Sequence, residues 1–191
     1  MTRPQPGDWF VTSNGPLDST LAGSIFSNLI QWGTNSRFNH AGVCVSPTDV
    51  VEAQPGGARR SPLDGYLGDN TVWSDGYGLT DPQLQRPAIV AAAEQLVGVP
   101  YGWGDIVAII LAQKRLGKWR RLDAEKALEQ QPWWVRRLAR TDRLICSELV
   151  DLACHMAGVI LFNDRRPFGL VSPGDLDRLL LSGTESQFDQ P

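Results

Sequence analysis

The sequence predicts an α+β fold in a single domain, and three observations carry that expectation. Residues 40–45 (His-Ala-Gly-Val-Cys-Val) and 49–53 (Asp-Val-Val-Glu-Ala) are β-branched and small-residue runs whose short link suits an antiparallel hairpin. Helical patterns stand apart from these runs, the strongest beginning at Cys146. The chain has 191 residues, 42% hydrophobic and 20% charged. A chain of that size can bury roughly 70% of its unfolded surface without a disulfide or metal staple.

The elements follow in order. Residues 8–12 come after Pro6-Gly7 and read as a strand launched by a turn. Asp18 can cap a helix with apolar positions at Leu21, Ile25, Leu29 and Trp32, ended by Thr34, Asn35 and Ser36. The two hairpin strands come next, and Pro55-Gly56-Gly57 stops the second. Residues 55–86 are rich in Gly, Asp and Pro, with one further strand expected at 71–74. Pro87 fits the first turn of a helix running to about Val97, with Gly98 as its cap. Residues 146–157 form a strong helix pattern that Gly158 stops. The domain is expected to span residues 1–185, loosening from about Gly183 into a flexible tail at 186–191.

Composition excludes several classes. The 18 Lys and Arg against 21 Asp and Glu give a net charge of -3, which argues against a specific nucleic-acid binder. Three Cys, an odd number, argue against a disulfide framework and leave at least one free thiol. No apolar stretch follows Arg3, so a Sec-type signal peptide is not expected. The longest clean apolar run, residues 106–112, is far short of the roughly 18 residues of a membrane span. The expectation is a soluble chain of undetermined location, cytoplasmic or delivered by a phage or effector route. No Cys or His pair has metal-ligand spacing apart from the adjacent Cys154 and His155, so neither a metal nor a cofactor is expected.

The scarcity of histidine narrows the chemistry. A thiol nucleophile needs a base within reach and the base needs an orienting partner. Cys146 lies in the first turn of its helix, where backbone N–H groups and the helix dipole favour a thiolate. His155, nine residues further on, would be about 13 Å away on the opposite side of the helix. Of the two histidines, His40 is left as the base. Alternation puts His40, Gly42 and Cys44 on one face of their strand, with Gly42 leaving room for a backbone or substrate. Across the hairpin, Glu52 can hold the imidazole by one ring nitrogen, giving nucleophile, base and orienter in Cys146, His40 and Glu52. A satisfied core histidine and a small buried thiol are the ordinary alternatives. Cys44 and Cys154 read as core, and Glu148 as a helix N-terminal charge.

These residues sit in motifs that resemble the NlpC/P60 cysteine peptidases, papain-like enzymes that cut cell-wall peptides. Pro6-Gly-Asp-Trp-Phe-Val11 resembles that family's P-G-D strand, and His40-Ala-Gly-Val-Cys44 its H-V-G strand. Val51-Glu-Ala53 takes the place of the strand carrying the polar third residue. Gly98-Val-Pro-Tyr-Gly-Trp-Gly104 resembles G-x-P-Y-x-W-G, and Ile145-Cys-Ser-Glu-Leu-Val150 resembles D-C-S-G-L-V. The order here, His before Glu before Cys, is similar to that of the circularly permuted group that includes the YiiX-like proteins.

The resemblance spans about residues 6–158 and implies a permuted papain-like fold, its antiparallel sheet packed against the helix of the catalytic Cys146. It implies a thiol hydrolase working through a thioester, with a peptide or peptidoglycan fragment as substrate. The alternatives are a lipid acyltransferase or thioesterase on the same scaffold, or a catalytically silent module such as a phage-particle component. It adds Tyr101 as an oxyanion or substrate residue beside the Cys146 backbone N–H, the other reading being an aromatic packed on the Cys helix. Two departures stand out: Ile145 replaces the family's Asp, and residues 107–143 form a long insertion. Its part from 113 to 143 has ten basic and four acidic residues with Trp119, Trp133 and Trp134. It reads either as a helical lid or docking surface for an anionic polymer, lipid or protein, or as a solvated helical hairpin.

Overall fold

A computed structural model describes residues 3–13, 36–102, 143–163 and 171–188. Five strands, β1 (Trp9–Thr12), β2 (His40–Cys44), β3 (Asp49–Gln54), β4 (Gly57–Pro62) and β5 (Thr71–Trp73), form one sheet in the order β4-β3-β2-β1-β5. Every neighbouring pair is antiparallel. Among the described residues three helices follow: α1 (Pro82–Gln95), α2 (Cys146–Met156) and α3 (Pro173–Phe188). The fold is α+β. The expected helix at Asp18, the residues Trp103 and Gly104, and the insertion up to residue 142 lie outside the described residues.

The hairpin of β2 and β3 forms in the register Val43 opposite Val51 and Cys44 opposite Val50. Its alternation divides the apolar residues between two faces. One face presents Trp9, Val11, Ala41, Val43, Val51 and Ala53 to α2 and α1, where Leu149, Val150, Ala153, Ile89, Ala92 and Ala93 complete the main core. The other carries a smaller cluster of Phe10, Cys44, Val50, Leu63 and Tyr66, with Trp73 against it.

Strand β4 did not announce itself in the sequence, because Gly-Ala-Arg-Arg-Ser-Pro lacks the β-branched residues that mark strands. It forms through its turn. Gln54 pairs with Gly57 across Pro55-Gly56, and Gly56 has φ +105°, as a type II turn requires after proline. A 3-10 turn at Leu63–Tyr66 then folds back over the smaller cluster. The outer edge of β4 is engaged at Ala58, whose N–H donates to Val99 O (2.8 Å) and whose carbonyl accepts from Gly98 N (2.8 Å).

Two boundaries differ from expectation. Helix α1 begins at Pro82, not Pro87, because Asp81 caps it through Leu84 N (3.3 Å) and Pro82 occupies the first turn. Pro87 lies inside the helix. The longer helix carries Arg86, whose Nη1 lies 2.9 Å from Oδ1 of buried Asp8 and ties α1 to the turn before β1. Helix α3 continues through Gly183 to Phe188 where a loose tail was expected. One internal glycine costs only about 1 kcal/mol, too little to end a helix by itself. Gly98 (φ +91°) and Gly158 (φ +76°) take the left-handed conformations that close α1 and α2.

Candidate active site

His40 is the first residue of β2, Glu52 lies near the end of β3, and Cys146 is the first residue of α2. The structure brings these three side chains together at one end of the sheet. His40 Nε2 meets Glu52 Oε2 in a buried hydrogen-bonded pair. The Cys146 side chain lies within hydrogen-bonding range of the same imidazole. With Nε2 committed to Glu52, Nδ1 is the ring nitrogen left to face the sulfur. His40, Glu52 and Cys146 are 3%, 0% and 2% exposed, so these polar groups are satisfied by one another and by neighbouring dipoles rather than by water.

That mutual balance sets the proton affinities. Burial works against a charged imidazole, yet the Cys146 charge and hydrogen bond, followed by those of Glu52, push His40 up to about 10. Burial likewise opposes ionisation of Glu52, but the hydrogen bond and charge of His40, with Ser61 and Tyr66, hold it down at about 2. The arrangement therefore favours an imidazolium held against the Glu52 carboxylate.

Glu52 is held from several sides. Tyr66 Oη donates to Oε2 at 2.5 Å, Gln54 Nε2 donates to Oε1, and Arg59 Nη2 donates to Gln54 Oε1. The Tyr66 ring lies 4.5 Å from the Phe10 ring, which in turn lies 6.3 Å from that of His40. Gly42 makes this layering feasible. A Cβ there would sit 2.8 Å from Phe10 Cε1 and Cζ. The space that glycine leaves, expected to admit a backbone or substrate, is filled by the Phe10 ring.

Helix α2 is fixed at the end that carries Cys146. Glu148 Oε2 accepts from Ile145 N (3.0 Å), half of a capping box. Ser147 Oγ donates to Val171 O (2.7 Å), joining the residue after Cys146 to the segment leading into α3. Tyr101 bridges to Leu144, with Gly102 N on Leu144 O and Leu144 N on Pro100 O, both 3.0 Å. It lies buried in the main core with Leu144, Ile145 and Cys146, beside the chain that leads into α2. The other thiols stand elsewhere: Cys44 is in the smaller cluster and Cys154 deep in the main core. Burial pushes the Cys44 thiol up to about 11, helped by the Asp8 charge, and pushes Cys154 upward as well. His155 is exposed in the last turn of α2.

Sequence reasoning did not find Tyr66, Gln54 or Arg59. Gln54 had a legible signal, since it lies two residues beyond Glu52 and so on the same strand face. Tyr66 had none, because its place depends on the 3-10 turn. Among the described residues no group of three or more His, Cys, Asp or Glu could hold a metal ion, and no helix is long and apolar enough to cross a membrane. No family model matches the chain, and no curated protein matches it.

Proposed function

We propose that this protein is a cysteine hydrolase that works by acyl transfer, with Cys146 as nucleophile, His40 as general base and Glu52 as orienter. The observation that carries the reading is the buried imidazole held between Glu52 and the Cys146 side chain, the three groups arriving from separate elements. A structural histidine has no need of a thiol on one nitrogen and a carboxylate on the other.

In the proposed cycle the Cys146 sulfur attacks a substrate carbonyl, and His40 carries the proton from the thiol to the leaving group. The backbone N–H of Cys146 at the α2 N-terminus, with Tyr101, supports the oxyanion. Water, deprotonated by His40, then cleaves the thioester, releasing the acid and the free thiol. Atoms balance as hydrolysis of one acyl bond, without an external oxidant or cofactor.

The substrate proposed is a peptide amide of the cell wall, and the fold a permuted papain-like one of the NlpC/P60 type. Two features support this: His40, Glu52 and Cys146 occur in the permuted order, and an antiparallel sheet packs against the helix that Cys146 begins. The insertion at 107–143 is proposed as a surface for an anionic polymer, lipid or protein.

The test is competitive alkylation read by peptide mass spectrometry. The three thiols are similarly buried, so selectivity reports nucleophilicity rather than access. Iodoacetamide near neutral pH is expected to modify Cys146 at least about tenfold faster than Cys44 or Cys154. Equal, slow labelling of all three would overturn the proposal. Muropeptides assayed beside acyl thioesters then identify the acyl group, and turnover of thioesters alone would replace the peptidase assignment.

A further inference from the structure

We infer that Tyr66 is a positioning residue of this site: its phenol, opposed by the Gln54–Arg59 arm on the other oxygen, holds Glu52 immobile so that the carboxylate orients His40. The inference rests on the proposed Cys146–His40–Glu52 chemistry and deepens it.

The hydrogen bonds around Glu52 run in one direction. A guanidinium can only donate, so Arg59 fixes Gln54 with its carbonyl oxygen outward and its NH2 toward Glu52 Oε1. On Oε2, Tyr66 shares the oxygen with His40 Nε2. The phenol cannot reverse its role, because burial and the Glu52 charge raise its proton affinity and keep it a donor. Ser61 adds a further hydrogen bond. Neither oxygen can turn or take a proton without losing a donor, so the carboxylate has one orientation and one charge. His40 inherits that fixity.

The placement of Tyr66 is itself secured. Leu63, at the other end of the 3-10 turn, is fully buried and its N–H donates to Thr48 O at 2.8 Å. The Tyr66 ring packs on Phe10 at an interplanar angle of 35°. Tyr66→Phe therefore keeps the packing and removes only the hydroxyl.

The experiment follows Cys146 alkylation against pH in the full chain. Tyr66→Phe is expected to slow labelling at pH 7 by about tenfold. It should also move the acid limb of the profile upward, because a carboxylate free to turn holds the His40 imidazolium less firmly. In a Glu52→Gln background the same substitution should change nothing further, since its action passes through Glu52. An unchanged profile in Tyr66→Phe, or an equal loss in the Glu52→Gln background, would overturn the role. Should Tyr66→Phe not fold, exposed Arg59→Met tests the opposite arm; a shift of the same sign is expected there and an unchanged profile overturns the clamp. Wild-type Cys146 labelling no faster than Cys44 and Cys154 would instead remove the catalytic reading itself, a result separable from either.

Discussion

Replacing Glu52 by Gln changes one oxygen to an NH2 group and removes one buried charge. If the new NH2 takes the Oε1 position, it meets Gln54 Nε2, whose amide cannot turn while Arg59 holds its oxygen. If it takes the Oε2 position, it meets two donors, Tyr66 Oη and His40 Nε2. Either way a buried donor is left facing a donor, at a cost of about 1–3 kcal/mol. Losing the partner of a buried imidazolium brings the expected total to about 3–5 kcal/mol at pH 7, a fall in melting temperature of about 10 °C for a chain of this size. Alternatively His40 moves its proton to Nδ1, which disables the base. Turnover is then expected to fall by about 10³ to 10⁴, the scale of a tautomer error at a catalytic histidine. Urea unfolding followed by tryptophan fluorescence gives the stability. With only two histidines in the chain, imidazole NMR resolves His40 from His155. A loss below about 0.5 kcal/mol, with His40 still titrating near 10, would refute the account of the buried pair.

Other expectations follow from the same geometry. His40→Ala should abolish turnover, whereas His155→Ala, exposed in the last turn of α2, should leave it nearly unchanged; equal losses in a steady-state assay would refute the assignment. The His40 contribution to stability is complete below its unfolded value of 6.5 and disappears as pH rises through about 10. The Glu52 contribution is complete above 4.5 and disappears as pH falls through about 2. Melting temperature should therefore decline between pH 6.5 and 10, less steeply in Cys146→Ala because the Cys146 charge is the leading cause that raises His40. Gly42→Ala would press a methyl against the fully buried Phe10 ring and should cost about 1–3 kcal/mol in urea unfolding; no loss would mean that ring is free to shift. Leu149→Ala, removing a fully buried side chain between α2 and the sheet, should cost about 2–5 kcal/mol by the same measurement.

Local signals explain how much of this was legible in the sequence. The runs at 40–45 and 49–53 carry both strand propensity and a hairpin link, and β2 and β3 form where those signals lie. The grouping of His40 with Glu52 follows from alternation across that hairpin, and Cys146 begins its helix as its pattern indicates. What escaped notice depends on partners distant in sequence. β4 is a strand because β3 pairs with it along its whole length, despite Arg59 and Arg60 at its centre. The 3-10 turn that delivers Tyr66 has no periodicity to read. Two prolines five residues apart, Pro82 and Pro87, are equally good first-turn residues by composition; the Asp81 cap decides between them.

The manner in which the sheet ends bears on how copies of this protein behave at high concentration. An open strand margin is a template for pairing with a neighbour's strand, the route to aggregates. Here β5 is three residues long, and β4 is already bonded at Ala58 by Gly98 and Val99 and displays two arginines, Arg59 and Arg60. Charge repulsion and occupied amides at one margin, and shortness at the other, discourage intermolecular β-pairing, so the hairpin that bears His40 and Glu52 stays enclosed within its own sheet.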